Sequence, residues 1–265
     1  MAVKSPLMNV MHGAVRKTAR GLVRDFNEVE NLQVSRKGPA DFVTKADMRA
    51  DERLREELGR ARPAFGFLTE EGGGQEGSDP RRRWIIDPLD GTTNFLHGIP
   101  YFAISVALEE AGQIVAGVIY QPVSDELFWA ERGAGAFLND RRLRVASRHQ
   151  LDDAVIGTGL PQLGRPGDAN YHAQLEAMMQ RAAGIRRMGA AALDLAYVAA
   201  GRFDAFWETG LAPWDVAAGL ILVREAGGRI SRTDGGEDVL NSGSVLASND
   251  ALHGRVLRLF REVRA

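Results

Sequence analysis

Asp87-Pro88-Leu89-Asp90-Gly91-Thr92-Thr93-Asn94 follows directly on the apolar triplet Trp84-Ile85-Ile86. Such a triplet reads as a short buried strand, which puts Asp87 at a strand's carboxyl end, where the ligand sites of α/β folds collect. Two carboxylates three residues apart, with a proline fixing the backbone between them, repel each other in a confined site, and a cation relieves that repulsion. Gly91-Thr92-Thr93 can open a helix whose N–H groups face an anion. Two further acidic elements stand elsewhere in the chain: Glu70-Glu71, ahead of Gly72-Gly73-Gly74, and Asp215 in Pro213-Trp214-Asp215. With no cysteine and five scattered histidines, oxygen donors are what remains. An all-oxygen set selects a hard ion, and Mg²⁺ shared between carboxylates, waters and a phosphate fits best. Each element also has a plainer reading. Asp-Pro favours turns, Asp87, Asp90 and Asp215 could be cap residues, and Glu70-Glu71 could be a solvated loop.

Other chemistries drop out by motif. Zero cysteines exclude disulfides, thiol catalysis and thiolate metal sites. No Gly-Lys pair marks a P-loop, Gly133-Ala134-Gly135 lacks the third glycine of a dinucleotide fingerprint, and no serine occupies a Gly-x-Ser-x-Gly elbow.

These residues need elements to hold them. Of 265 residues 45% are hydrophobic, and 33 basic against 35 acidic side chains leave a net charge of -2, which describes a soluble globular protein. No apolar run approaches a membrane span, and Met1 to Val15 lacks a signal peptide's apolar core, so a cytoplasmic location is favoured. The charge balance argues against a dedicated nucleic-acid binder. Residues 8, 11, 15, 19, 22 and 26 recur at helical spacing and predict an amphipathic first helix. A second helix begins at Thr44, which has capping-box spacing to Asp47, and runs to Pro63. The stretch 70–74 reads as a flexible loop. Strands follow near 102–109, 114–121 and 126–131. After residue 152 strands at 154–158, 203–207 and 244–247 alternate with helices near 168–183, 191–200, 215–226 and from 250. One domain spanning 1–265 is expected, with approximate halves 1–150, antiparallel, and 151–265, mixed α/β.

Taken in order, Thr69-Glu70-Glu71, the run from Trp84 to Phe95 and Pro213-Trp214-Asp215-Val216-Ala217-Ala218-Gly219 resemble the inositol monophosphatase family of Mg²⁺-dependent phosphatases. The likeness runs from the Asp41–Asp47 stretch through Gly243–Asn249. Ala191-Ala192-Leu193-Asp194-Leu195-Ala196-Tyr197-Val198-Ala199-Ala200-Gly201 looks particularly like its bacterial inositol-1-monophosphatase branch, the extragenic suppressor type.

The resemblance implies a layered αβαβα sugar-phosphatase-type fold (α+β / α/β), a homodimer, lithium sensitivity and hydrolysis of myo-inositol 1-phosphate or a related polyol phosphate. It implies two or three Mg²⁺ ions, with Mn²⁺ a possible substitute. Glu70, Asp87 and the Leu89 carbonyl would hold the first ion, Asp87, Asp90 and Asp215 the second, with a third near Glu70. Thr92 with Glu70 would orient the attacking water. Asp90, Gly91, Thr92 and Asp215 would border the phosphate, backbone N–H groups of Gly189, Ala190 and Ala191 would meet the substrate, and Glu208 would bind its hydroxyls. Lys37 matches a family lysine near the site. Position 190 commonly carries Thr or Ser in the family; Ala190 removes that hydroxyl.

Fructose-1,6-bisphosphate, histidinol phosphate and 3′-phosphoadenosine 5′-phosphate are alternative substrates within the same fold, which cannot choose among them. A phosphoaspartyl route is disfavoured, because two residues separate Asp87 from Asp90 where one separates the aspartates of the haloacid-dehalogenase loop. From another class, the chain could be a regulatory protein that binds a partner.

Overall fold

Met8, Met11, Val15, Ala19 and Leu22 are all buried along one side of α1 (Pro6–Asn27), as their spacing predicts. Ser5 caps this helix by accepting from the Met8 N–H at 3.1 Å, and Pro6 occupies its first turn. The computed structural model describes residues 4–28, 34–38, 41–161 and 169–263. A hairpin of β1 (Val34–Gly38) and β2 (Asp41–Thr44) leads into α2 (Lys45–Ala61). The capping box at its start is present, with Asp47 in the glutamate's place. The side chain of Lys37 and position 168 lie outside the described residues, and the helix expected near 168–183 runs only from Tyr171 to Met179.

The first large sheet contains β3 (Phe65–Thr69), β4 (Gly73–Gln75), β5 (Asp79–Asp90), β6 (Ala103–Glu110), β7 (Gln113–Gln121), β8 (Glu126–Glu131), β9 (Gly135–Leu138) and β10 (Arg141–Arg142). Their order is β10-β9-β8-β7-β6-β5-β3-β4, antiparallel throughout except where β3 runs parallel to β5. A short helix, α3 (Thr92–Leu96), follows β5.

The second half supplies β11 (Val155–Thr158), α4 (Tyr171–Met179), β12 (Gly184–Arg186), α5 (Ala191–Ala199), β13 (Ala205–Thr209), α6 (Pro213–Glu225), β14 (Arg229–Ser231), α7 (Val239–Ser242), β15 (Ser244–Ser248) and α8 (Asp250–Glu262). Its sheet has the order β12-β11-β13-β15-β14, with β11 parallel to β12 and β13 and with β15 antiparallel to both its neighbours.

Five layers result, in the αβαβα order the resemblance implies. α1 and α2 pack on one face of the first sheet through Trp84, Ile86, Val106 and Val118. α5 and α6 fill the space between the sheets, touching Ile85 and Ala107 on one side and Phe206 and Ala247 on the other. α4 and α8 cover the outer face of the second sheet around Trp207 and Leu246. The middle layer is tight because of two glycines. A Cβ on Gly117 of β7 would stand 2.9 Å from the Ala218 Cα, and one on Gly219 would stand 2.6 Å from the Leu195 Cβ.

Several elements differ from their sequence signals. β5 is twelve residues long rather than a triplet, since its polar first half pairs across strands, Arg82 with Glu110 and Arg83 with Glu109. Gly73 and Gly74 of the expected loop form a strand with Gln75, a segment that carries no hydrophobic alternation. β13 is shifted by two residues, so Glu208 belongs to the strand.

Two buried histidines set an acid limit on this packing. His12 sits edge-on to Trp129, and its Nε2 has no hydrogen-bond partner among the described residues. His253 bridges β14 and its neighbour β15, with Ser231 Oγ and Ser248 Oγ each 2.9 Å from a ring nitrogen. Burial, then Lys4 and Arg16, lower His12 to about 4; burial, then Arg229, lower His253 to about 4. A folded-state pKa below the unfolded value means stability that is complete above about pH 6.5 and lost as pH falls toward 4. Urea unfolding at pH 7.5 and pH 5 is expected to show a loss on the order of 1 kcal/mol per histidine. In His12→Phe the loss should be smaller; an unchanged pH dependence would count against this assignment.

Candidate active site

Backbone geometry gathers the acidic residues at one end of the first sheet. Glu70 directly follows β3, and its N–H donates to the Ile86 carbonyl at 3.2 Å, which fixes it beside the end of β5. β5 breaks register between Asp87 and Asp90, so both carboxylates stand at its terminus instead of alternating faces. Asp87 Oδ1 accepts from the Leu89 N–H at 2.9 Å. Gly91 then adopts φ 90°, a left-handed turn in which a Cβ would stand 3.0 Å from the Tyr101 carbonyl oxygen, and α3 starts at Thr92. From the second half, Asp215 lies in the first turn of α6, where Oδ2 accepts from the Ala212 N–H at 2.7 Å.

Asp90 joins the two halves. Its Oδ2 accepts from the Ala192 N–H at 2.8 Å, across 102 positions of sequence, and so satisfies a free donor of α5. Ala190 is the N-cap of that helix and has no side-chain cap to offer. The adjoining Gly189 has φ 86°, and Asn94 Nδ2 ties the segment down by donating to the Met188 carbonyl at 2.8 Å and to the Tyr101 carbonyl at 2.8 Å. Glu70, Asp87, Leu89, Asp90, Gly91 and Thr92 line one cleft with Gly189, Ala190, Ala191, Glu208 and Asp215. These site candidates thus border the same cleft, while the side chain of Lys37 lies outside the described residues.

The cleft holds acid against acid. Burial raises Asp87 well above the carboxylate range, followed by the charges of Glu70, Asp90 and Asp215. Asp90 is raised by burial and then chiefly by Asp215. Among the described residues no three acidic or imidazole groups already form a closed metal cage. The donor chemistry nevertheless fits a hard cation, since buried carboxylates and the Leu89 carbonyl face one another's fields and each aspartate commits one identified oxygen to backbone N–H groups. The plainer sequence readings survive in part: Asp87 does turn the chain, Asp90 does cap a helix, and Asp215 caps as a third residue while Ala212 is the N-cap.

Asp47 is the residue that sequence reading missed. It read as half of a capping box, which it is, through its bonds with Thr44. Its Oδ1 also accepts from the Thr92 hydroxyl at 3.1 Å, and that hydroxyl lies 3.0 Å from the Leu89 carbonyl. Thr92 is therefore oriented by Asp47, while Glu70 borders the same cleft. Burial raises Asp47 above the usual carboxylate range. A capping aspartate that is buried and bonded 45 residues away leaves no separate trace in local sequence.

At the far end, Glu208 lies directly on Gly159. A Cβ at position 159 would overlap the Glu208 carboxylate. Burial raises Glu208 well above its ordinary value, followed by Asp194, Asp215 and Asp90, with Arg187 opposing. Gly159→Ala is expected to displace that carboxylate and raise KM for a hydroxyl-bearing substrate by about tenfold, the cost of one mispositioned hydrogen bond to a charged group. Steady-state kinetics check it, and an unchanged KM would show that Glu208 does not meet substrate.

Comparison with known proteins agrees in both sequence and shape. The model of the inositol monophosphatase family matches residues 4–265. The inositol-1-monophosphatase of Mesorhizobium japonicum is 59% identical over 259 residues, covering 98% of this chain and 97% of that one. The Nus factor SuhB of Pseudomonas aeruginosa is 44% identical over 248 residues, covering 92% of each. The crystal structure of the extragenic suppressor protein suhB from Bartonella henselae superposes with a TM-score of 0.95 at 55% identity, covering 97% of this chain and 99% of that one.

Proposed function

Because the chain belongs to the inositol monophosphatase family and is a phosphatase hydrolase, we propose that it cleaves myo-inositol 1-phosphate or a closely related polyol phosphate with Mg²⁺ in the acidic cleft. The observation that carries this reading is the placement of Glu70, Asp87, Asp90 and Asp215 around one cleft beside the start of α5. Glu70, Asp87 and the Leu89 carbonyl would hold one ion and Asp87, Asp90 and Asp215 another, with a third near Glu70 and Mn²⁺ as a possible substitute. When bound, Mg²⁺ would supply neutralisation of phosphate charge and a lowered pKa for water.

The chain's own groups do the positioning. With its proton given to Asp47, the Thr92 oxygen keeps lone pairs to accept from a water in the cleft. Gly189, Ala190 and Ala191 lie at the start of α5, where backbone N–H groups favour phosphate oxygens. Glu208 would accept from substrate hydroxyls. A loose phosphoryl transition state asks mainly for alignment and charge compensation, so direct in-line attack by water needs no covalent nucleophile.

Phosphate release from myo-inositol 1-phosphate, fructose-1,6-bisphosphate, histidinol phosphate and 3′-phosphoadenosine 5′-phosphate, with Mg²⁺, with Mn²⁺ and after chelation, tests the reading. Inositol phosphate is expected to be the best substrate, with Li⁺ inhibiting. Turnover indifferent to chelation, or phosphate label retained on the protein after rapid quench, would count against it.

The Nus factor name of the Pseudomonas relative supports a second reading, a partner-binding role in addition to hydrolysis. Cellular rescue by Asp87→Asn would favour that role. The reading also includes a homodimer in the cytoplasm. Among the described residues no helix is long and apolar enough to cross a membrane.

A further inference from the structure

Tyr101 and Asp194 form a buried polar pair beside the cleft, and neither lines it. The Tyr101 hydroxyl donates to Asp194 Oδ1 at 2.7 Å, across 93 positions of sequence. Packing alone does not require such a pair. Phenylalanine against leucine would fill the same space, and replacing both partners of a buried hydrogen bond by apolar groups of the same shape costs little or nothing. What a satisfied buried polar pair adds is one specified arrangement of the elements it joins.

The elements joined here are the turn at Gly91 and the start of α5. Tyr101 is fixed by its backbone, since its carbonyl accepts from Asn94 Nδ2 at 2.8 Å and stands 3.0 Å from where a Cβ on Gly91 would be. Its ring meets Tyr197 edge-on with centroids 5.6 Å apart, so one side chain grips α5 at two positions three residues apart. Asp194 lies one turn into the helix, its N–H donating to the Ala190 carbonyl at 3.0 Å. A helical side chain leans toward the N-terminus and covers the turn before it, which puts Asp194 on the face of Ala190 and Ala191, two residues that line the cleft. Between them and Asp194, the Ala192 N–H is bonded to Asp90. One such bond leaves a helix free to swivel about it. A second, at a different point of the same turn, stops the swivel.

Resting on the phosphatase reading above, we propose that Tyr101 is a positioning residue: its hydroxyl, through Asp194, sets the rotation of α5 and with it the aim of the backbone N–H groups at 189–191 toward the substrate phosphate. Misplacing such donors by about 1 Å is enough to cost up to about 10²-fold in rate.

The test follows hydrolysis of myo-inositol 1-phosphate at saturating Mg²⁺, with inorganic phosphate as inhibitor, in wild type, Tyr101→Phe, Asp194→Asn and the double variant Tyr101→Phe/Asp194→Leu. Tyr101→Phe keeps the ring against Tyr197 and loses only the hydroxyl. Its kcat/KM is expected to fall about thirtyfold and its inhibition constant for phosphate to rise about tenfold. Asp194→Asn keeps an acceptor for the hydroxyl and should stay within about threefold of wild type in both quantities. The double variant removes both polar partners together, so its Tm should equal or exceed that of wild type while both kinetic losses remain. Circular dichroism verifies folding, and should Tyr101→Phe not fold alone, the double variant carries the test. A lowered Tm in Tyr101→Phe with unchanged kcat/KM and phosphate inhibition would give the bond a purely structural role and overturn the proposal. Kinetics restored in the double variant would overturn it too, as would a loss in Asp194→Asn as large as in Tyr101→Phe, which would assign the effect to charge. If wild type neither cleaves the ester nor is inhibited by phosphate, the phosphatase reading itself fails and takes this inference with it. If wild type does both and Tyr101→Phe matches it, only this inference fails.

Discussion

Asp87→Asn is expected to lower kcat by at least about 10²–10³-fold while leaving the fold intact. Asp87 is buried among Glu70, Asp90 and Asp215, and it borders both positions proposed for Mg²⁺. Asparagine keeps the shape and can still accept from the Leu89 N–H, so the local turn survives. What disappears is one negative charge from a cluster whose members repel each other, a change that does not weaken the metal-free protein. Circular dichroism and thermal unfolding without metal should match wild type, and the rise in Tm on adding Mg²⁺ should shrink because ligand linkage is lost. Wild-type turnover at saturating Mg²⁺ would refute the role assigned to Asp87. Collapse of the fold would mean instead that its turn function dominates.

Gly117→Val has the largest expected effect on stability, about 3 kcal/mol or more of destabilisation by overpacking. Valine suits a strand, so propensity alone predicts a gain. The obstacle is backbone: Cα and the carbonyl oxygen of Ala218 on α6 each lie 2.9 Å from where the Cβ would be, and neither can rotate aside. Gly21→Ala is the control, a helical glycine with nothing within 4 Å of its Cβ position, and it should stabilise by roughly 0.5–1 kcal/mol. Urea titrations of the two variants decide the matter. A Gly117→Val midpoint equal to wild type would show that α6 can move off the sheet. Because α6 carries Asp215, the same variant should also lose activity before it unfolds.

The elements that sequence made visible are those whose signals are local. Six residues at helical spacing define α1, Thr44 and Asp47 mark the start of α2, and the Trp84–Asn94 run locates the cleft. Elements hidden in sequence depend on distant partners. The polar half of β5 is a strand only because Glu109 and Glu110 pair with its arginines. Gly159 reads as an ordinary glycine until Glu208 is placed upon it, and Asp47 as an ordinary cap until Thr92 reaches it. Arg187 lies next to another arginine, and the sequence does not say which of the two enters the cleft.

The bond from Ala192 to Asp90 makes the cleft a seam between two halves that share the core between their sheets. Neither half owns a complete reaction centre, so fragments 1–150 and 151–265, purified apart, should be inert, and any regained turnover on mixing would report reassembly of the sandwich rather than repair of either piece. Catalysis in this molecule is thereby a gauge of how well its inner helical layer is seated.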